Sequence, residues 1–236
     1  MNAEAQHFIA SVLALAPKTA AFDCDGTLWD ADSGMEFFYW LLDHGLVDAR
    51  TEAWARPRYQ EYLAGRVDEK TMCGEMVRIC RGIPTATIRE ASRIFFTERV
   101  EGRIFPEMLE LTNRLREAGC ELWAVSSSNQ WLIETEAVPF GFAKDRVFAA
   151  AAEEKDGIAT DRLIRVPTGP DKAAVLQAHT RVPPALAFGN SIHDVAMLDL
   201  ATVRAFAINP NPDLAQIARQ RHWTTYQPLG TRTSTR

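Results

Sequence analysis

From Ser33 to about Arg99 the sequence carries no strand pattern, only four helical segments, and this block interrupts an otherwise regular alternation of strands and helices. The segments read GMEFFYWLLDHGL, EAWARPRYQEYLAG, DEKTMCGEMVRICRG and PTATIREASRIFFTERV, divided by Gly, Pro or acidic starts. Ahead of them, TAAFD at residues 19–23 is a short apolar run closed by Asp, the pattern of a buried strand. After Pro106 the order is helix PEMLELTNRLREAG, strand CELWAVS, helix NQWLIETEAVPFG, then a strand and hairpin within RVFAAAAEEKDGIATDRLI. Helix PDKAAVLQAHT, strand ALAFGN, helix HDVAMLDLA, strand VRAFAIN and helix PDLAQIARQRH complete the chain. Strands that alternate with helices imply a mostly parallel, doubly wound α/β sheet. The expected organisation is a core formed by residues 1–30 and 101–236, with a helical domain, residues 31–100, inserted into it.

At 236 residues the chain is long enough for one substantial core with such an insertion. Its formal net charge of −5 gives no electrostatic reason to expect nucleic acid, so an anionic substrate must be held by local charges. Cys24, Cys73, Cys80 and Cys120 are scattered, without Cys-x-x-Cys pairs, and read as reduced thiols of a cytoplasmic protein. FIASVLALAP near the N-terminus follows Glu4 and lacks a basic flank, so it reads as an amphipathic helix and not a signal segment. No stretch approaches a membrane span, and the polar tail LGTRTSTR is expected to fray. Oligomeric state is left open.

In open parallel sheets the ligand crevice lies at the carboxyl ends of the strands. There Asp23 and Asp25 stand one residue apart before Gly26-Thr27, and at i and i+2 they can face one crevice while Cys24 turns away. Such a pair can bind a hard cation, attack as nucleophile, or act as acid and base. A turn whose side chains bond their own backbone is the plainer alternative. At the end of the next strand, VSSSN offers the Ser126 hydroxyl to an anion, with Ser127 or Ser128 beside helix N-terminal amides, although a simple N-cap would look the same. Lys172 lies in the first turn of a helix, where the macrodipole disfavours a cation unless an anion faces it. Finally, AFGNSIHDVAML ends a strand at Gly189-Asn190 and places Asp194 at a helix start. Each junction alone is ordinary; all four in this order are not.

These junctions resemble the motifs of the haloacid dehalogenase-like (HAD) hydrolase superfamily, and the helical block is similar to the C1-type cap of its phosphoserine phosphatase-like branch. The resemblance implies a Rossmann-like core and a Mg²⁺-dependent phosphatase acting on a small phosphorylated metabolite. By the same resemblance Asp23 is the nucleophile that becomes an aspartyl-phosphate, and Asp25 is first general acid and then general base. Ser126, Ser127 and Lys172 would hold the phosphate, while Asp23, the Asp25 main-chain carbonyl, Asn190 and Asp194 would serve Mg²⁺. Family dehalogenases lack the second aspartate of the first motif, so Asp25 favours phosphoryl transfer over carbon–halogen cleavage.

The sequence departs from the family pattern twice. Asn190 stands where the fourth motif usually has a ligating Asp, and Gly74 and Met76 stand about where phosphoserine phosphatases carry a carboxylate-binding arginine, leaving Arg78 or Arg81 to substitute. Asp32 or Glu36 would supply the acid that meets a substrate amine. The aromatics Phe37, Phe38, Tyr39, Trp40 and Trp54 are expected to pack the cap, and Trp29 to do the same or to recognise a cationic head group. Two other functions compete with phosphatase: a phosphotransferase that passes the phosphoryl group to an alcohol, and a phosphate-binding protein impaired in catalysis by Asn190.

Overall fold

The computed structural model describes residues 1–229. The first helix, α1 (Ala3–Leu13), is capped by the Asn2 side chain and buries Ala5, Phe8, Ile9 and Val12 along one face. It leads into β1 (Thr19–Phe22), after which come α2 (Ser33–Asp43), α3 (Ala49–Leu63), α4 (Glu69–Arg78) and α5 (Thr85–Phe95). Asp32, Asp48 and Asp68 cap α2, α3 and α4 by accepting a backbone N–H three residues on, which is why each helix starts at its acidic punctuation. A π-helical turn, Phe96–Val100, returns the chain to α6 (Pro106–Glu117) and β2 (Glu121–Asn129).

The remainder runs through α7 (Gln130–Glu136), β3 (Val147–Lys155), β4 (Ile158–Arg165), α8 (Pro170–His179) and β5 (Leu186–Gly189). It closes with α9 (Val195–Leu198), β6 (Arg204–Ile208), α10 (Pro212–Gln220) and β7 (Thr224–Tyr226). The sheet order is β4-β3-β2-β1-β5-β6-β7, parallel throughout except for the β3–β4 hairpin. Alternate residues feed different layers: Ala20, Phe22, Leu122, Phe188 and Phe206 join one apolar cluster, and Ala21, Trp123, Val125, Ala187 and Ala205 join the other. Phe22, Phe188 and Phe206 stack across β1, β5 and β6 with ring centroids 4.4 and 4.7 Å apart.

The expected α/β architecture is thus present, with β1 flanked by β2 and β5. Chain direction across the sheet reverses at β1, and Phe22 is level with Ala124 and Phe188, so the residues that follow these three open into one crevice. Helices α2, α3 and α4 line that end. The α4–α5 connection is also joined to the β3–β4 hairpin: Gly82 N donates to Ala159 O at 2.8 Å, Ala159 N to Ile83 O at 3.0 Å, and Thr85 N to Gly157 O at 2.8 Å.

Local differences from the sequence reading have physical causes. β2 continues through the serines to Asn129 because its ladder with β3 resumes at Asn129 and Ala150 after a register shift. The segment HDVAMLDLA is a 3₁₀ turn followed by the four-residue α9, and β7 is a three-residue edge strand with too few residues to show alternation. From residue 230 onward the tail expected to fray lies outside the described residues.

Candidate active site

Asp23 directly follows β1, and its amide extends the ladder by donating to Phe188 O at 2.9 Å. The chain then turns at Gly26, with φ +71° and so little space that a Cβ there would fall 1.9 Å from Asn190 Nδ2. That turn lets Thr27 Oγ1 donate back to Asp23 Oδ2 at 2.8 Å. Lys172 reaches in from the first turn of α8, behind Gly169-Pro170, and donates to Asp23 Oδ1 and Asp194 Oδ1, each at 2.6 Å. The anion required by a cation at a helix start is therefore a pair of carboxylates. Asp194 Oδ2 accepts from the Asn190 and Ser191 amides, both at 2.9 Å, and so ties the loop after β5 to the lysine.

Burial would lower the Lys172 ammonium, but Asp194 and Asp23 outweigh it and hold the group above its ordinary value. Asp23 is left short of positive charge. Burial first, then Asp194, pushes its carboxyl up to about 7 despite Lys172.

Asp25 lines the same crevice in a different setting. Its Oδ1 accepts from Trp29 Nε1 at 2.9 Å, the Ser33 amide at 2.7 Å and Ser33 Oγ at 2.6 Å, and its Oδ2 accepts from Ser128 Oγ at 2.7 Å. Trp29 is fully buried and packs on Phe140, so it orients Asp25 and offers no ring face to a substrate; the reading of Trp29 as a specificity residue is corrected. Ser126, Ser127 and Ser128 all line the crevice, with Ser126 Oγ accepting from the Ser128 amide and Ser127 Oγ donating to Pro167 O, both at 3.0 Å.

Asp23, Asp25 and Asn190 share the crevice wall, while both carboxylate oxygens of Asp194 are committed to Lys172 and the loop. The described residues contain no group of three or more acidic, His or Cys side chains arranged to hold a metal by themselves. Mg²⁺ does not require one, because it commonly keeps several waters and takes one or two carboxylates plus substrate oxygens. A buried Asp23 lacking positive charge beside oxygen donors fits that ion.

The crevice is one end of a cavity of about 610 Å³ that continues under α2, α3 and α4. Asp32, Glu36, Glu69, Tyr59, Tyr62 and Met76 line it, and Arg103 and His193 bring the facing cations. Arg103 is held by Glu36 at 2.7 and 3.0 Å, and His193 is paired with Glu69, which raises the imidazole above its usual range. Asp32 Oδ1 accepts from the Met35 amide at 3.0 Å; the residue keeps a solvent-exposed surface, and the protein atoms packed round it, with Asp25, Glu36 and Glu69 adding to them, push its carboxyl up.

Arg78 and Arg81 do not reach the cavity: Arg78 donates to Asp161 O and Arg81 pairs with the Asp161 carboxylate on an outer groove beside Trp54. The arginine at the cavity is Arg103, which sequence reading missed because it lies in the return linker and not on a cap helix. Phe37, Phe38 and Trp40 are buried as packing residues, whereas Trp54 is exposed.

The sequence profile of the haloacid dehalogenase-like hydrolases matches residues 20–199. The chain belongs to that family. Among proteins similar to this HAD hydrolase is a histidinol-phosphatase of Neisseria meningitidis serogroup C (strain 8013), 25% identical over 218 residues that cover 86% of this chain and 96% of the relative. A protein of unknown function from Bordetella pertussis Tohama I has the same fold, with TM-score 0.77, 23% identity and coverage of 88% of this chain and 96% of that one. A phosphoserine phosphatase solved as a phospho-aspartyl intermediate analogue aligns with TM-score 0.57 and 17% identity over 84% of this chain and 90% of that one. This HAD hydrolase is accordingly a phosphoric monoester hydrolase by family, and no helix among its described residues is long and apolar enough to cross a membrane.

Proposed function

We propose that this protein hydrolyses a small phosphomonoester whose alcohol portion carries a cationic nitrogen and no carboxylate, through a phosphoryl group held transiently on Asp23. The observation that carries the reading is the two-ended cavity: Asp23, Asp25 and the β2 serines at one end, and carboxylates whose arginine is already paired at the other. Histidinol phosphate, for which the Neisseria relative is named, has an amine and an imidazole but no carboxylate.

In this reading Asp23 attacks phosphorus in line with the departing alkoxide, and Lys172 and Thr27 fix its two oxygens for that attack. Asp25 gives the alkoxide a proton, then removes one from the water that hydrolyses the phosphoaspartate. Ser126 and Lys172 bind the non-bridging oxygens. Mg²⁺, held by Asp23, the Asp25 carbonyl and Asn190 with Asp194 behind them, would supply Lewis-acid stabilisation of the phosphoryl charge. Asp32 would meet the substrate cation and Glu36, by pairing with Arg103, would keep that guanidinium from repelling it.

The test is a Mg²⁺-containing screen of phosphorylated metabolites that includes histidinol phosphate, phosphoethanolamine, phosphocholine and phosphoserine. Amine phosphates without a carboxylate should lead, and a clear preference for phosphoserine would sink the proposed selectivity. Asp32→Asn should raise KM for the preferred amine phosphate by about tenfold while changing turnover of an aryl phosphate by less than about threefold. Equal losses on both substrates would make Asp32 a structural cap only. For Asn190→Asp, restoring a carboxylate should lower the Mg²⁺ concentration needed for half-maximal activity by about tenfold. An unchanged requirement would remove Asn190 from the ligand set.

A further inference from the structure

Glu136, in the last turn of α7, is fully buried beside the active site. Its Oε2 lies 2.8 Å from Ser33 Oγ, and Ser33 Oγ lies 2.6 Å from Asp25 Oδ1. A serine hydroxyl has a single proton, yet here it meets two carboxyl oxygens at hydrogen-bond distance. Were both carboxyls ionised, one of these contacts would set lone pair against lone pair. A second proton must therefore sit in the chain.

Its place follows from the other contacts. Asp25 Oδ1 also receives N–H bonds from Trp29 Nε1 and the Ser33 amide, two donors towards which this oxygen can act only as acceptor. Glu136 Oε1 has no hydrogen-bond partner among the described residues. A buried carboxylate oxygen without a donor is costly, whereas the carbonyl oxygen of a neutral acid loses much less. Burial, with Asp25 and Glu36 as the charged groups acting on it, drives the Glu136 carboxyl well above the usual range despite the Ser33 bond.

We propose that Glu136 is a positioning residue: it carries a proton in the working enzyme and donates it to Ser33 Oγ, which commits the Ser33 hydroxyl to Asp25 Oδ1. Ser33 opens α2 and Glu136 closes α7, so the same chain links the first helix of the insertion to the core at the catalytic acid. The kinetic part of this inference rests on Asp25 being the acid and base of the proposed reaction.

Infrared difference spectra of the metal-free protein at neutral pH, wild type minus Glu136→Gln, test the proton directly. A protonated-carboxyl C=O band should be lost on substitution; bands from Asp23 and Asp32 cancel in the difference. A spectrum that loses only carboxylate bands overturns the proposal. With Mg²⁺ present, Glu136→Ala should lower kcat on an alkyl phosphate by about tenfold or more. KM should stay within about threefold, and an activated aryl phosphate, whose leaving group needs little protonation, should suffer less. Glu136→Gln keeps an N–H donor at the same place and should recover most of that loss. If it recovers none, an ionised carboxylate and not a donor is required, and the proposal fails. Should Glu136→Ala not fold, Ser33→Ala breaks the link from its other end and is read by the same alkyl-to-aryl comparison. Asp25→Asn with undiminished alkyl-phosphate turnover would defeat the acid and base reading while leaving the infrared result standing, so the two failures are distinguishable.

Discussion

Asp23→Asn should reduce kcat by at least about 10⁴-fold while leaving the protein folded. An amide oxygen is a poor nucleophile, and nothing else in the crevice can replace it: Asp194 has both oxygens committed, and Asp25 is gripped by donors on each of its own. The structural effect should run the opposite way from that of an ordinary core substitution. Asp23 is a buried acid raised to about 7, so the wild-type metal-free protein must either protonate it or bear an undercompensated charge. The amide removes that charge while Lys172 retains Asp194, and Thr27 Oγ1 can still donate to the amide oxygen. In chelator at pH 8 the variant should melt no lower than wild type. Turnover and melting temperature measured on the same preparation check both halves. Retention of more than about one per cent of kcat would remove Asp23 from the nucleophile role.

Much of this crevice was legible because its parts sit on backbone features that leave marks in sequence. The i, i+2 acids, the glycine needed for the turn over Asn190, and the lysine placed against its helix dipole each violate a local preference for a reason found elsewhere in the fold. What stayed hidden was partnership. Nothing in the spacing says that Lys172 bridges two carboxylates, that Trp29 is spent on Asp25, or that Glu36 holds Arg103, because each contact joins separate segments. Glu136 did leave a trace: it falls one turn after Leu132 and Ile133 on the buried face of α7, where an acid is out of place. Reading that trace required Ser33, which is 103 residues away in sequence.

Lys172→Met should be the most destabilising single substitution in the site, and its effect should depend on pH in a direction that Asp23 sets. The lysine side chain is 3% exposed and its partners 7% and 0%, so its removal leaves buried carboxylates facing each other without a cation. Breaking a buried pair in this way costs about 3–5 kcal/mol, and for a chain of this size that lowers the melting temperature by about 6–20 °C. Removing Lys172 should raise Asp23 further, since the ammonium is what opposes the upward push. A group whose folded value exceeds its unfolded one contributes stability that is complete below the unfolded value and is lost as pH rises through the folded value. For Asp23 that window runs from about 4 to 7 in the wild type and extends higher in the variant. The melting gap between the two proteins in chelator should therefore be smaller near pH 5, where only the loss of the Asp194 pairing remains, and widest near pH 8. Mg²⁺ should raise the wild-type melting temperature more at pH 8 than at pH 5, because only the ionised Asp23 attracts it. Calorimetry at the two pH values, with chelator and with Mg²⁺, measures each term. A gap that does not change with pH would mean that Lys172 stabilises the site by packing alone, and the shortage of positive charge at Asp23, on which the fit to Mg²⁺ rests, would have to be abandoned.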